Sequence, residues 1–300
     1  MAGPPIATFA AAEFNAGELA DAKQECGEVV SFCLPARDEA GTIGPIVESV
    51  RSTLMGRVAL VDEVLVIDDH SCDATAVAAA DAGARVVPAA SVLSELAPGP
   101  GKGEAMWKSL FVAKGDLVVW CDADIYAFDP QFVVGLLGPL LSRPEVGFVK
   151  GFYERPADGL MDGGRVTELV ARPAICLLFP ELASVVQPLA GEYAGRRSLL
   201  ETLPFVTGYG VDLGLLLDAH QRSGPGALAQ VDLGVRRHRH RSLDELGPQA
   251  LAVLHAVLCR AGVVRRAEVE LIRPDRPGTL VGTGERPPLV EVAAYRDRLA

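Results

Sequence analysis

The chain has 300 residues, 49% hydrophobic and 22% charged, enough to bury a sizeable core in one large domain or two intimate ones. A formal net charge of −11 argues against a general nucleic-acid binder, because a duplex backbone would be repelled except at a local basic patch. No apolar run is long enough to span a bilayer and no basic segment leads into an apolar one at the N-terminus, so neither a transmembrane helix nor a secretory signal is expected. The six cysteines (Cys26, Cys33, Cys72, Cys121, Cys176, Cys259) are scattered without a C-x-x-C pair, and several sit in apolar runs as buried thiols do. That pattern predicts no zinc site and no disulfide framework, but a soluble protein of a reducing, cytoplasmic compartment.

Residues 1–28 mix alanine with polar residues and read as an irregular or helical lead-in. Val29–Leu34 is the first strand, expected to stop at Pro35, and Thr42 is placed to cap a helix whose apolar face is Ile43, Ile46, Val47, Val50 and Leu54. Glu63–Asp68 is a second strand that ends in acid, Asp68 and Asp69. Alanine-rich 74–82 reads as a helix stopped by Gly83, and Arg85–Val87 as a third short strand. The turn Pro98-Gly99-Pro100-Gly101-Lys102-Gly103 leads into a helix with Met106, Leu110 and Ala113 on one side.

The fourth strand is the apolar run Leu117-Val118-Val119-Trp120, which drives into Cys121-Asp122-Ala123-Asp124. A helix through Leu141 and a fifth strand, Val146–Lys150, follow. Strands alternating with helices over 29–152 imply an α/β fold with a mostly parallel, doubly wound sheet.

The second half is less regular. A helix opens at Gly163-Gly164-Arg165-Val166-Thr167 and is interrupted at Pro173; Gln187–Tyr193 is a loop or short strand, and 197–202 is helical. A helix follows Gly208-Tyr209-Gly210-Val211-Asp212, a strand spans Ala229–Val235 and runs into the basic Arg236–Arg241, and a long helix covers 243–261. From 263 on, charge and four prolines suggest an extended tail, mobile or used for self-association. The chain thus divides into a lead-in (1–28), a regular α/β half (29–152), a less regular second half (153–262) and a tail (263–300).

Residues two apart on a strand face the same side, so Asp122 and Asp124 project together into the crevice where α/β sheets bind ligands. Carboxylates that close repel each other unless a cation intervenes, and hard Mg²⁺ or Mn²⁺, holding a nucleotide diphosphate, suits them. Taken alone, the pair also fits a helix-capping Asp beside an exposed one. Lys102 lies among glycines at a helix N-terminus, where a phosphate is welcome, although the same run fits an ordinary turn. Arg165 and Thr167 at a helix start form either an anion cradle or a simple cap. The basic run from Arg236 is either a solvated face or a site for a phosphorylated or carboxylated ligand, and His238 could complete the coordination of the metal. The first strand is followed by neither a dinucleotide fingerprint nor Walker spacing.

Leu34-Pro35-Ala36-Arg37-Asp38-Glu39, Pro100-Gly101-Lys102-Gly103-Glu104-Ala105, Asp122-Ala123-Asp124, the run from Gly163 to Pro173, Gln187–Tyr193, Gly208–Val211 and Val235-Arg236-x-His238 together resemble the glucosyl-3-phosphoglycerate synthases and their mannosyl relatives. These are retaining glycosyltransferases of GT-A fold. The resemblance implies that Pro35, Ala36, Arg37, Glu39, Asp69, Lys102, Asp122, Ala123 and Tyr209 bind the nucleotide sugar, and that Asp124 and His238 hold Mg²⁺ or Mn²⁺. It puts Gly164, Arg165, Thr167 and Arg236 on the acceptor, 3-phosphoglycerate, and turns Asp212 and the Gly191-Glu192 loop toward the sugar hydroxyls. Asp124, Lys102, Arg165 and Asp212 form the implied catalytic set, in a homodimer with no nucleic-acid or membrane partner. The expected reaction moves glucose from UDP-glucose to the 2-hydroxyl of 3-phosphoglycerate. The family carries glutamate where this chain has Asp212 and asparagine where it has His240, and a carboxylate one methylene shorter leaves GDP-mannose as the alternative donor. A sugar-phosphate nucleotidyltransferase and a non-catalytic nucleotide-sugar-binding module are the alternatives from other classes.

Overall fold

A computed structural model describes residues 6–97, 99, 101–154, 164–236, 242–264 and 269–299. Its strands are β1 (Ala7–Ala10), β2 (Val30–Ala36), β3 (Glu63–Asp68), β4 (Arg85–Pro88), β5 (Leu117–Trp120), β6 (Phe148–Glu154), β7 (Tyr193–Arg196), β8 (Phe205–Val206), β9 (Leu228–Val235), β10 (Val269–Arg273), β11 (Arg276–Val281) and β12 (Glu285–Arg286). Its helices are α1 (Ala16–Cys26), α2 (Ile43–Val50), α3 (Thr75–Asp81), α4 (Lys102–Val112), α5 (Gln131–Ser142), α6 (Arg172–Leu178), α7 (Arg197–Leu200), α8 (Val211–Ser223), α9 (Leu243–Arg260) and α10 (Ala293–Leu299).

Eight strands form one sheet in the order β1-β9-β6-β7-β5-β2-β3-β4. Every pairing is parallel except those of β7, which runs antiparallel to both β5 and β6. Alternate residues of the central strands feed two apolar layers. Phe32, Leu34, Val64, Val66 and Val119 enter one, while Cys33, Leu65, Ile67, Val118 and Trp120 enter the other. A sheet covered on both faces explains why its strands read as continuous apolar runs rather than alternating ones.

Five expectations are revised. Residues 7–10, read as part of an irregular or helical lead-in, form β1 at the edge of the sheet, paired in parallel with β9. Pro35 does not stop β2, which continues to Ala36 in register with Asp68. Because β5 ends at Trp120, opposite Cys33, Pro35 pairs with β3 alone and its missing N–H falls where that neighbour has ended. Pro173 does not interrupt the second-half helix: a π turn over Thr167–Ala171 leads into α6, and the proline lies in its first turn. Thr42 stands at the N-cap of α2, but its hydroxyl donates to the Ala123 carbonyl at 2.6 Å instead of capping, tying the first loop to the Asp-x-Asp loop. The C-terminal residues fold back on the body. β10 and β11 form a hairpin, β12 pairs with β8, and Leu289 and Tyr295 are buried.

Candidate active site

β2, β3 and β5 end along one edge of the sheet, and the loops that follow them open onto a cavity of about 520 Å³. Pro35, Ala36, Arg37 and Glu39 line it after β2, Asp69 after β3, and Asp122, Ala123 and Asp124 after β5. Lys102 enters from the start of α4, Tyr209 and Asp212 from the start of α8, Gly164, Arg165 and Thr167 from the turn before α6, and Arg236 from the end of β9. These residues, drawn from both halves, therefore meet in one place. His238 lies outside the described residues.

Asp122 and Asp124 converge, but not through strand alternation, because β5 ends at Trp120 and both aspartates belong to the loop beyond it. Arg236 brings them together. Its Nη2 lies 3.1 Å from Asp122 Oδ2 and 2.8 Å from Asp124 Oδ1, its Nη1 donates to the Tyr153 hydroxyl at 2.6 Å, and its Nε is 3.3 Å from Glu192 Oε1. One guanidinium, 4% exposed, thus faces three carboxylates. Lys102 supplies the second cation, with Nζ 2.7 Å from Asp122 Oδ1 and 2.9 Å from Asp212 Oδ1. Burial alone would raise the pKa of Asp122, but Lys102 and Arg236 outweigh it and hold the carboxyl well below the usual range. The converse holds for Lys102: burial opposes its charge, Asp122 and Asp212 restore it, and the ammonium stays protonated.

Gly191 and Glu192 differ from expectation: they lie behind the cavity wall, not in it. A Cβ on Gly191 would stand 2.2 Å from Asp122 Oδ2, so any side chain there would have to displace that carboxylate. Glu192 is fully buried and makes an ion pair with Arg236, but among the described residues its carboxylate has no hydrogen bond; burial pushes its pKa up. The sequence reading missed Lys150, Tyr153 and Tyr193. The Lys150 Nζ donates to the Asp212 carbonyl at 3.0 Å and lies 4.2 Å from the centre of the Tyr193 ring, whose hydroxyl is 3.2 Å from Asp212 Oδ1. The signal available was a lysine closing an otherwise apolar strand. Leu246, Pro248 and Gln249 of α9 and Leu280–Gly282 at the end of β11 complete the wall, and nothing local in the sequence marks them.

Carboxylate oxygens on an open wall are the donor set of a hard divalent cation, and a positive charge already sits against both aspartates in the form of Arg236. Among the described residues no group of three acidic, histidine or cysteine side chains surrounds a common point. The residues present therefore fit an ion that shares its coordination with a diphosphate, the usual habit of Mg²⁺.

A sequence profile of glycosyl transferase family 2 matches residues 31–160. Curated glucosyl-3-phosphoglycerate synthases align over most of the chain: that of Mycolicibacterium smegmatis is 48% identical over 80% of this chain and 80% of its own, and that of Petrotoga mobilis is 39% identical over 95% and 94%. This chain belongs to the glucosyl-3-phosphoglycerate synthase family. It is a glycosyltransferase, and its fold is that of the GT-A members of the family. The Mycobacterium tuberculosis synthase, in a crystal structure with Mn²⁺, UDP-glucose and phosphoglyceric acid, superposes with a TM-score of 0.86 at 43% identity, over 95% of this chain and 98% of that one. The same synthase has also been solved with Mn²⁺, UDP and glucosyl-3-phosphoglycerate, at a TM-score of 0.85.

Proposed function

We propose that the chain transfers glucose from UDP-glucose to the 2-hydroxyl of 3-phosphoglycerate, with retention at the anomeric carbon and with Mg²⁺ or Mn²⁺ as cofactor. The observation that carries this reading is the 43% identity, over nearly the full length of both chains, to a synthase crystallised with Mn²⁺, UDP-glucose and phosphoglyceric acid together. The cavity supports it with the required chemistry: carboxylates for a cation, Lys102 beside them, and Arg165 and Thr167 lining the same cavity for an anionic acceptor.

In this reading Pro35, Ala36, Arg37, Glu39, Asp69 and Ala123 bind the nucleotide, and Asp124 with His238 holds the metal. The metal, when bound, supplies positive charge against the diphosphate. Lys102 stabilises the negative charge that develops as the bond from the anomeric carbon to the diphosphate breaks. Gly164, Arg165, Thr167 and Arg236 hold the phosphate and carboxylate of the acceptor, which sets its 2-hydroxyl against the anomeric carbon. The hydroxyl oxygen bonds that carbon from the face the diphosphate leaves, and a diphosphate oxygen takes its proton. We assign no protein nucleophile. Asp212, a carboxylate near the sugar in this reading, has its Oδ1 engaged by Lys102 and Tyr193. A trapped glycosyl-enzyme adduct would overturn that assignment.

We also place the enzyme in the cytoplasm, since all six cysteines are free thiols, and no described helix is long and apolar enough to cross a membrane. The homodimer implied by the resemblance is open to sedimentation equilibrium. The decisive assay offers UDP-glucose, GDP-glucose and GDP-mannose separately with 3-phosphoglycerate and Mg²⁺. Glucosyl product from UDP-glucose, abolished by EDTA and by Asp124→Ala, is the expected result. Mannosyl product alone would replace the donor, and nucleotide binding without transfer from any donor would leave only a binding module.

A further inference from the structure

Lys102 enters the cavity as the first residue of α4, after the turn at Gly101, and the C-terminal segment grips that turn from both sides. Arg286 Nη2 donates to the Ala97 carbonyl at 2.5 Å on the near side. On the far side its Nε and Nη2 reach Glu104 Oε2 and Oε1 at 2.6 and 2.8 Å. Glu104 lies two residues after Lys102 in the first turn of α4 and is wholly buried. The guanidinium also lies 5.5 Å from the centre of the Trp107 ring, and Trp107 Nε1 donates to the Pro287 carbonyl at 2.9 Å.

The backbone repeats the connection. Glu104 N donates to Thr207 O at 3.0 Å, and Thr207 N donates to Gly284 O at 2.8 Å. β8, the strand in between, finds its sheet partner in β12, with Val206 opposite Glu285 and Phe205 opposite Arg286. Gly101 adopts φ +100°, and Gly103 packs where a Cβ would stand 1.7 Å from the Val206 carbonyl oxygen, so the start of α4 lies close against β8 and any shift of β8 or β12 is felt at Lys102. A bidentate guanidinium on a buried carboxylate supplies direction as well as charge.

We propose that Arg286 is a positioning residue for glycosyl transfer: by bridging Ala97 O and the Glu104 carboxylate, it fixes the glycine turn that aims the Lys102 ammonium at the diphosphate. The role deepens the proposed function and rests on it. Arg286 acts through Lys102 and touches no reacting atom, so its effect appears in kcat and not in the KM for 3-phosphoglycerate. Misplacing a reacting group by even an ångström costs on the order of a hundredfold in rate, so loosening the turn lowers kcat by about tenfold or more.

The test uses the full chain with Mg²⁺, UDP-glucose and 3-phosphoglycerate, and compares Arg286→Met, Lys102→Met and the double variant. Expected is a kcat about tenfold lower in Arg286→Met, an unchanged acceptor KM, and no further loss when Arg286→Met is added to Lys102→Met. Amide hydrogen exchange at residues 102–105 should be faster in Arg286→Met whether or not the protein turns over. Tyr295→Phe loosens the same C-terminal segment without touching the turn, through loss of its hydrogen bond to Glu201, and should lower the melting temperature while leaving kcat unchanged. A kcat within about twofold of wild type in Arg286→Met, or losses that multiply with those of Lys102→Met, overturns the proposal. Should Arg286→Met fail to fold, Arg286→Lys takes its place. Its amine keeps the charge on Glu104 but cannot also fork to Ala97, and an unchanged kcat there overturns the proposal equally. A wild-type protein that transfers no glucose sinks the underlying reading instead, and exchange at 102–105 still tests the brace.

Discussion

Lys150 is the residue whose energetics are most exposed to experiment. It is 1% exposed, with one carbonyl and one aromatic face for company, and burial draws its pKa down to about 8 although Asp212 pulls the other way. The ordinary lysine value, near 10.4, describes the unfolded chain. Between the two values the native state binds fewer protons than the unfolded one, so stability rises with pH there. The contribution is present above the unfolded value and lost as pH falls through about 8. From pH 7 to pH 9.5 this one group should add about 2 kcal/mol to the unfolding free energy. Lys150→Met keeps the volume and removes the titration. Urea melts of both proteins at the two pH values should therefore show wild type gaining about 2 kcal/mol relative to the variant. Parallel pH dependences would mean that Lys150 is not desolvated as its burial indicates. The lysine was visible in the sequence as the end of an apolar strand. Its burial was not, because that depends on Tyr193 and Asp212 arriving from β7 and α8.

Two glycines separate the elements that carry the site from the elements that hold it. Gly103 lies in the first turn of α4 against β8, and a Cβ there would meet the Val206 backbone carbonyl at 1.7 Å, which cannot yield without moving a strand. Gly191 precedes β7, and a Cβ there would meet the Asp122 carboxylate at 2.2 Å, which can rotate away. Gly103→Ala should therefore destabilise the protein by about 1–3 kcal/mol, as overpacking does, and reduce activity with it. Gly191→Ala should cost less stability than Gly103→Ala, because a side chain rather than a strand gives way, and still lose at least about tenfold in kcat/KM, because it displaces a carboxylate of the site. If the two variants show the same balance of stability and activity loss, that division is wrong.

Elements were legible in the sequence wherever the cause was local. β3 falls at Glu63–Asp68, where the apolar run and its acid end placed it, and α2 carries the periodic face of Ile43, Ile46, Val47 and Val50. The site was legible where a motif names its own residues, as with Lys102, Arg165 and Asp122. Pro35 misled because its tolerance in β2 depends on β5 ending early. Glu192 misled because its motif says that it is near the site but not on which side of the wall it lies.

At the scale of the whole molecule, the C-terminal residues were the least legible, for a physical reason. Their prolines and charges have the local signature of a tail, and every contact that anchors them is remote: Arg286 meets Glu104 across 182 residues, and Trp107 meets the Pro287 carbonyl across 180. Once anchored, the segment closes the fold. Leu289 is completely buried, Tyr295 is 2% exposed with its hydroxyl on Glu201 Oε2 at 2.7 Å, and Val281 and Gly282 form part of the cavity wall. Burying Leu289 and Tyr295 alone is worth about 4 kcal/mol on an area basis. A chain ending at residue 262 gives that up, uncovers the Trp107 side of α4 and leaves β8 without its sheet partner. It should melt about 10 °C lower than the full chain and lose transfer activity even at temperatures where it is folded, because Lys102 and one wall of the cavity are then unsupported. Calorimetry and the donor assay on the two chains decide the point. A truncated protein with an unchanged melting temperature and unchanged kcat/KM would return residues 263–300 to the extended tail, mobile or self-associating, that their composition suggests.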